Sequence, residues 1–257
     1  MDVASYNSEA WDRVADSGKS RYTRCVTPQQ VADARQGTWE LDVSPRKTIP
    51  KSWLPNPQGL DVLCLAGGGG QQGPILAAAG ANVTVLDISK KQLEQDQYVA
   101  RRDGLKILLE LGDMQDLSRF ADECFDLIIH PPANMYIPDV RAVWREAYRV
   151  LRKGGSIISG ISNPAVYLFD LNRLPIGKPR IKYTLPYSDL TSIPAKKREK
   201  QIARGEPLAF SHSLEDQIGG QIAAGFIITG FYEDYWEDRI VLNKYMPCFM
   251  VTRAEKP

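Results

Sequence analysis

From Leu60 to about Gly160 the chain alternates short apolar runs with longer amphipathic stretches. This is the rhythm of consecutive βαβ units, which build a parallel sheet covered by helices on both faces. The runs are Asp61 to Leu65 (DVLCL), Asn82 to Leu86 (NVTVL), Lys106 to Leu109 (KILL), Phe125 to Ile129 (FDLII) and Ser156 to Ile161 (SIISGI). All are β-branched or aliphatic, as strands buried on both faces require. Between them, Ser89 with Gln92 three residues on predicts a capping box opening KKQLEQDQYVARR, and Gly104 is placed to end that helix. Asp139 predicts the N-cap of a helix whose Val143, Ala147, Val150 and Leu151 share one face, with Gly154-Gly155 closing it.

The flanks read differently. Residues 1–58 mix aromatic residues with Thr27-Pro28-Gln29-Gln30, an N-cap, a proline at the first helical position and a completed capping box, which predicts a helical cap. Residues 163–212 are rich in Pro and Tyr and carry the run Lys196 to Lys200, which reads as a solvated helix face. A long irregular insertion of this kind predicts a lid. In 213–257, Ser213 opens a helix ending at Gly225, and Phe226 to Tyr232 and Cys248 to Thr252 read as strands too closely connected for a helical crossover. The expectation is one α/β domain over 1–257, with its core at 59–162: a seven-stranded, mostly parallel sheet with an antiparallel edge strand, helices on both faces, a cap and an inserted lid.

Composition narrows the classes. No apolar run in the 257 residues approaches the ~20 a membrane helix needs, and the opening MDVASYNSEAWDR lacks the basic start and apolar stretch of a secretory signal, so a cytoplasmic location is expected without membrane partners. With 32 Lys+Arg against 31 Asp+Glu, the net charge of +1 gives no field to attract nucleic acid. Four scattered cysteines and two histidines signal neither a disulfide framework nor a metal site.

The candidate chemistry starts after the first strand, at Ala66-Gly67-Gly68-Gly69-Gly70-Gln71-Gln72-Gly73-Pro74. A loop without side chains lets backbone N–H groups and a helix start approach a ligand. Gly68, Gly70 and Gly73 satisfy GxGxxG, and Asp87 ends the second strand at about the offset where a carboxylate accepts both hydroxyls of a ribose. These features predict a Rossmann-like fold with an adenosine-type cofactor.

Farther on come Leu111-Gly112-Asp113-Met114-Gln115-Asp116-Leu117 after the third strand and His130-Pro131-Pro132-Ala133-Asn134-Met135-Tyr136 after the fourth. With Leu63 to Gly70, the LDIS segment at Asp87, FDLII and RVLRKGGSII, this order resembles the class I S-adenosylmethionine-dependent methyltransferases. The likeness is greatest to the small-molecule branch near the ubiquinone and menaquinone biosynthesis enzymes. The resemblance implies S-adenosyl-L-methionine as cofactor and a small-molecule methyl acceptor. It implies cofactor contacts from Ala66, Gly67, Gly68, Gly69 and Gly70 on the methionine part, Asp87 on the ribose, and Ile88, Asp113 and Met114 around the adenine, with Gln92, Gly112 and His130 also among the cofactor-binding residues. His130 would lie near the transferred methyl.

Two departures stand out: the family usually has an acid where this chain has Cys64, and a glycine where it has Ala66. The HPP segment also invites comparison with the NPPY loop of amino-group methyltransferases, but His130 and Ala133 occupy the defining places. Methyl transfer needs alignment, exclusion of water and, for a hydroxyl, a proton acceptor. His130 and Tyr136 are the expected catalytic side chains; Asn163, Tyr167, Asp170, Tyr187 and His212 are further acceptor-side candidates, with His212 read as a surface residue beside the Ser213 cap. Tyr6, Trp11 and Tyr22 could close over a sulfonium by cation–π attraction. Two rivals stay open: a nicotinamide-dependent oxidoreductase, against which no Tyr is followed four residues later by Lys, and a cofactor-binding protein without catalysis.

Overall fold

The computed structural model describes residues 2–170, 179–237 and 240–257. Seven strands form one sheet: β1 (Asp61–Leu65), β2 (Asn82–Asp87), β3 (Ile107–Leu111), β4 (Phe125–His130), β5 (Leu151–Ser162), β6 (Ile227–Asp234) and β7 (Phe249–Glu255), in the order β3-β2-β1-β4-β5-β7-β6. The strands from β3 to β5 pair in parallel. β7 runs antiparallel to both neighbours, so the antiparallel strand is inserted one place in from the edge, with β6 outside it. The order reverses between β1 and β4, and the carboxyl ends of strands at such a point frame a crevice that helices do not cover.

The alternation of β1 explains the two-layer core. Leu63 and Leu65 point into the cluster that holds Trp144, while Val62 and Cys64 point into the one on the opposite face with Ile75 and Leu76. The crossover helices α3 (Gln72–Ala78), α4 (Lys90–Asp103) and α5 (Val140–Val150) cover these faces. Gly104 ends α4 in the left-handed conformation, and Asp139 caps α5 by accepting from the Arg141 N–H. At Ser89 only half of the expected box forms: its hydroxyl accepts from the Gln92 N–H, but the Gln92 side chain does not return the bond.

Two boundaries differ from expectation. Gly154-Gly155 does not close α5, because β5 begins at Leu151 and pairs there with Phe125; Gly154 instead takes a left-handed kink inside the long strand. The helix after Ser213 opens as a wide π turn, Glu215–Gly219, before the short α7 (Gly220–Ala224). Trp144 packs on this turn: its indole N–H donates to the Asp216 carbonyl, and its ring leaves no room for a Cβ at Gly220, 2.8 Å away.

The flanks fold onto this core. α1 (Val3–Ser17) packs on α4 and α2 (Pro28–Arg35) on α3, with the Thr27–Gln30 capping box complete. In the 163–212 segment, α6 (Ala195–Ala203) carries the lysine run and has no buried residue, and Tyr167 stacks on Tyr187 beside Phe249. Residues 171–178 of the expected lid lie outside the described residues. Asn7 stitches α1 to this segment: its amide donates to the carbonyls of Tyr136 and Leu208 and its oxygen accepts from the Leu208 N–H. Among the described residues, no helix is long and apolar enough to cross a membrane.

Candidate functional site

The loop after β1 is threaded between α4 and the cap. Ala66 takes a positive φ of 50°, a conformation costing an L-residue about 1 kcal/mol, which is why a side-chain-free residue would be easier there. Gly68 has no room for a Cβ, which would stand 2.8 Å from Gln92 Cβ and 2.9 Å from Asp87 Oδ2. At Gly69 the obstacle is the Tyr22 carbonyl, 2.6 Å away, so the cap backbone rests directly on the loop. The Val26 N–H, donating to the Gly70 carbonyl, fixes it there.

Two buried carboxylates hold the loop from below. Asp87 Oδ2 accepts from the Gly68 N–H at 2.9 Å, and its Oδ1 accepts from the Ser89 N–H at 2.9 Å. Asp96, on α4, accepts from the Gly69 N–H through Oδ2 at 2.9 Å, while its Oδ1 has no partner. Burial pushes Asp87 up to about 6 against the pull of these N–H groups, and pushes Asp96 up to about 7, with the Asp87 charge adding to the rise. Asp96 was not foreseen from sequence. Its available signal was its place between Leu93 and Val99 on the buried face of α4, where a carboxylate is out of pattern.

A cavity of about 1230 Å³ opens above the loop. Ala66, Gly68, Asp87, Ile88, Gln92, Gly112, Asp113, Met114 and Tyr136 all line it, so the structure brings these expected residues together. Gly67, Gly69 and Gly70 shape the turn but are not among the lining residues. The Asp113 carboxylate is oriented by the N–H and side-chain amide of Gln115. The Ile88 carbonyl accepts from Ser8 on α1 at 2.7 Å, which seats the cap over the cavity. Trp11 and Tyr22 reach the cavity from the cap, whereas the Tyr6 hydroxyl is turned away and donates to the Glu206 carbonyl.

His130 is a correction. It is 0% exposed and absent from the cavity wall; its Nδ1 is 2.8 Å from the Leu65 carbonyl oxygen, and its Nε2 is 2.8 Å from Asn134 Oδ1. Burial lowers its proton affinity, and because both ring nitrogens face oxygen acceptors the neutral ring donates to one of them at a time. His212 is likewise buried rather than superficial, and its Nε2–H donates to the Asn134 carbonyl at 2.9 Å. Both imidazoles therefore secure one residue, Asn134, whose amide also donates to Gln217 in the π turn. His130→Ala is expected to cost about 2–4 kcal/mol of stability through the cavity and the orphaned partners, measured by urea unfolding. A variant as stable as the parent but slow in turnover would instead restore a catalytic role.

Tyr136 faces the cavity with its ring edge-on to Trp11 at 5.0 Å, and burial raises its phenol so that it acts as a donor, not a base. The other acceptor-side candidates are not on the wall: Asn163 caps a 3₁₀ turn, Asp170 pairs with Lys182, and the Tyr187 hydroxyl donates to Asp189 beside Tyr167. The cavity wall also holds residues that sequence reasoning missed, Trp39, Asp42, Trp236 and Phe249. They come from segments far apart in the chain, and no local pattern marks them.

Residues 63–159 match the family model described as Methyltransferase domain. Over 254 residues the chain is 50% identical to an uncharacterized methyltransferase of Bacillus subtilis, YbaJ, a match covering 99% of this chain and 98% of that one. This chain belongs to the class I S-adenosylmethionine-dependent methyltransferases. Solved structures share the fold: one S-adenosylmethionine-dependent methyltransferase from Mesorhizobium loti aligns over 80% of this chain and 95% of its own with a TM-score of 0.62 at 22% identity. Another, from Methanosarcina mazei, aligns over 84% and 99% with a TM-score of 0.58 at 21% identity. The methyltransferase family implies S-adenosylmethionine, and the site suits it. Gly68 brings the turn's backbone to the cavity wall, and a buried, partnerless Gln92 Oε1 stands on that wall beside an acidic strand end.

Proposed function

We propose that this methyltransferase acts on a small molecule held in the same cavity as the cofactor. The observation that carries the reading is the cavity's size: about 1230 Å³ exceeds the ~300–1,000 Å³ of a usual single-ligand pocket and leaves space beyond the loop for a second compound. When bound, the cofactor supplies a methyl group activated by its sulfonium.

The chain's own residues do the rest. Asp87 accepts hydrogen bonds from a ribose, Asp113 accepts from an exocyclic amine, and Ile88 and Met114 offer apolar surface to a flat base. Trp11 and Tyr136 exclude water and offer aromatic faces to positive charge. Trp39, Trp236 and Phe249 give the acceptor an apolar, aromatic seat. With both histidines packed against Asn134, the proton of a hydroxyl or amine acceptor goes to Asp42, a solvent-reached cavity carboxylate that partial desolvation holds above its usual range, with Arg21 opposing.

Incubation with methyl-labelled cofactor and a cell extract tests this reading. Label is expected in the low-mass fraction; label confined to protein or nucleic acid would refute it. Once an acceptor is in hand, Asp42→Asn should lower kcat by about a hundredfold with S-adenosylhomocysteine affinity unchanged, while an unaffected kcat would remove Asp42 as the base.

A further inference from the structure

Asp96 is 0% exposed and carries a carboxylate into the apolar face of α4. Such burial is costly unless the charge is paired, yet among the described residues no Lys or Arg is within ion-pair distance. What faces it is the turn and more acid. The Gly69 and Gly70 N–H groups come from the loop, Asp87 from β2, the Cys64 thiol from β1 and the Cys25 thiol from the cap. Burial keeps both thiols protonated, so the charge beneath the turn belongs to the two aspartates. Gly73 lies beside Asp96, its own Cβ position excluded by Val85 at 2.7 Å with Asp96 Oδ1 next at 3.4 Å.

Consecutive N–H groups of the loop thus reach different carboxylates, Gly68 on Asp87 and Gly69 on Asp96, the latter N–H shared with the Gln92 carbonyl at 3.1 Å. We propose that Asp96 is a positioning residue for the cofactor, the second half of a carboxylate clamp that sets the curvature of the turn and holds negative charge beneath the cationic end of the ligand. The role answers the departure at position 64, where β1 offers a neutral thiol: the acid reaches the turn from α4 instead. A purely mechanical staple needs only an oxygen acceptor, which an amide supplies equally well. Charge is therefore the discriminating property. The proposal rests on the reading that this loop binds S-adenosylmethionine.

Calorimetric titration with S-adenosylhomocysteine, whose ammonium keeps the positive charge, separates the two. Affinity of the unmodified chain should rise about tenfold between about pH 6 and about pH 8 as the clamp ionises, with protons released on binding near pH 7 when measured in two buffers of different ionisation enthalpy. Asp96→Asn should bind about tenfold more weakly at about pH 8 and keep only the part of the pH dependence that Asp87 supplies. A melting curve adds a readout without ligand. A raised carboxyl stabilises the fold when protonated and loses that contribution as pH rises from its unfolded value to its folded one, so the unmodified chain should lose stability relative to Asp96→Asn between about pH 4 and about pH 7.

Unchanged affinity and pH profile in Asp96→Asn would overturn the proposal alone. If the variant does not fold, absence of proton release by the unmodified chain would overturn it. No binding by the unmodified chain at any pH would remove the cofactor reading, and the proposal with it.

Discussion

Asp87→Ala should weaken S-adenosylhomocysteine binding by about a hundredfold or more while leaving a folded protein. Each hydrogen bond to a charged acceptor contributes about 1.5–3 kcal/mol, so losing two from a ribose costs at least about 3 kcal/mol, and every 1.4 kcal/mol is tenfold. The Gly68 N–H, which donates to this carboxylate, loses its anchor as well, so the turn relaxes at the same time. Stability moves the other way. Burial raises Asp87 to about 6, so its protonated form favours the fold below the unfolded value, and that contribution disappears as pH rises through about 6. At alkaline pH the native carboxylate is a burden that alanine removes. Calorimetry paired with thermal melting checks both halves; an affinity within about threefold of the parent would mean that Asp87 does not hold the cofactor.

Gly160→Ala should destabilise the protein by about 3 kcal/mol or more. A methyl group at this point of β5 would overlap the Val43 carbonyl and stand 3.0 Å from the Pro132 ring. The obstacle is backbone, so no rotamer change relieves it, and β5 cannot retreat because Gly160 is paired with Val251 on β7. Val43 and Pro132 both line the cavity, so the damage should fall on the acceptor side as well as on stability. Guanidinium unfolding measures it. A loss below about 1 kcal/mol would show that the cap segment yields without cost.

The cofactor half of the site was legible because its information is local. A strand, a side-chain-free turn and an acid at the next strand end follow one another in sequence, and the chain geometry of a βαβ unit brings them together. The acceptor half was not. Asp42 comes from the cap, Trp236 from the loop after β6 and Phe249 from the start of β7, and only the tertiary fold joins them. His130 stood at a strand end where ligands often bind, but a strand's two faces point to different layers, and this ring turns under the loop toward Trp144 rather than into the opening. The early start of β5 was hidden because Arg152-Lys153-Gly154 has loop composition. Asp96 was hidden for the opposite reason, since a charged residue in a helix is ordinary until burial shows which face it occupies.

Spending both imidazoles on Asn134 also changes what chemical labelling of this enzyme can report. Reagents that acylate histidine find rings that are 0% and 8% exposed, with hydrogen bonds already made. Inactivation by such a reagent would track how often the native chain opens and not how a ligand shields its site, which makes carbethoxylation a gauge of conformational escape in this protein and a poor guide to its chemistry.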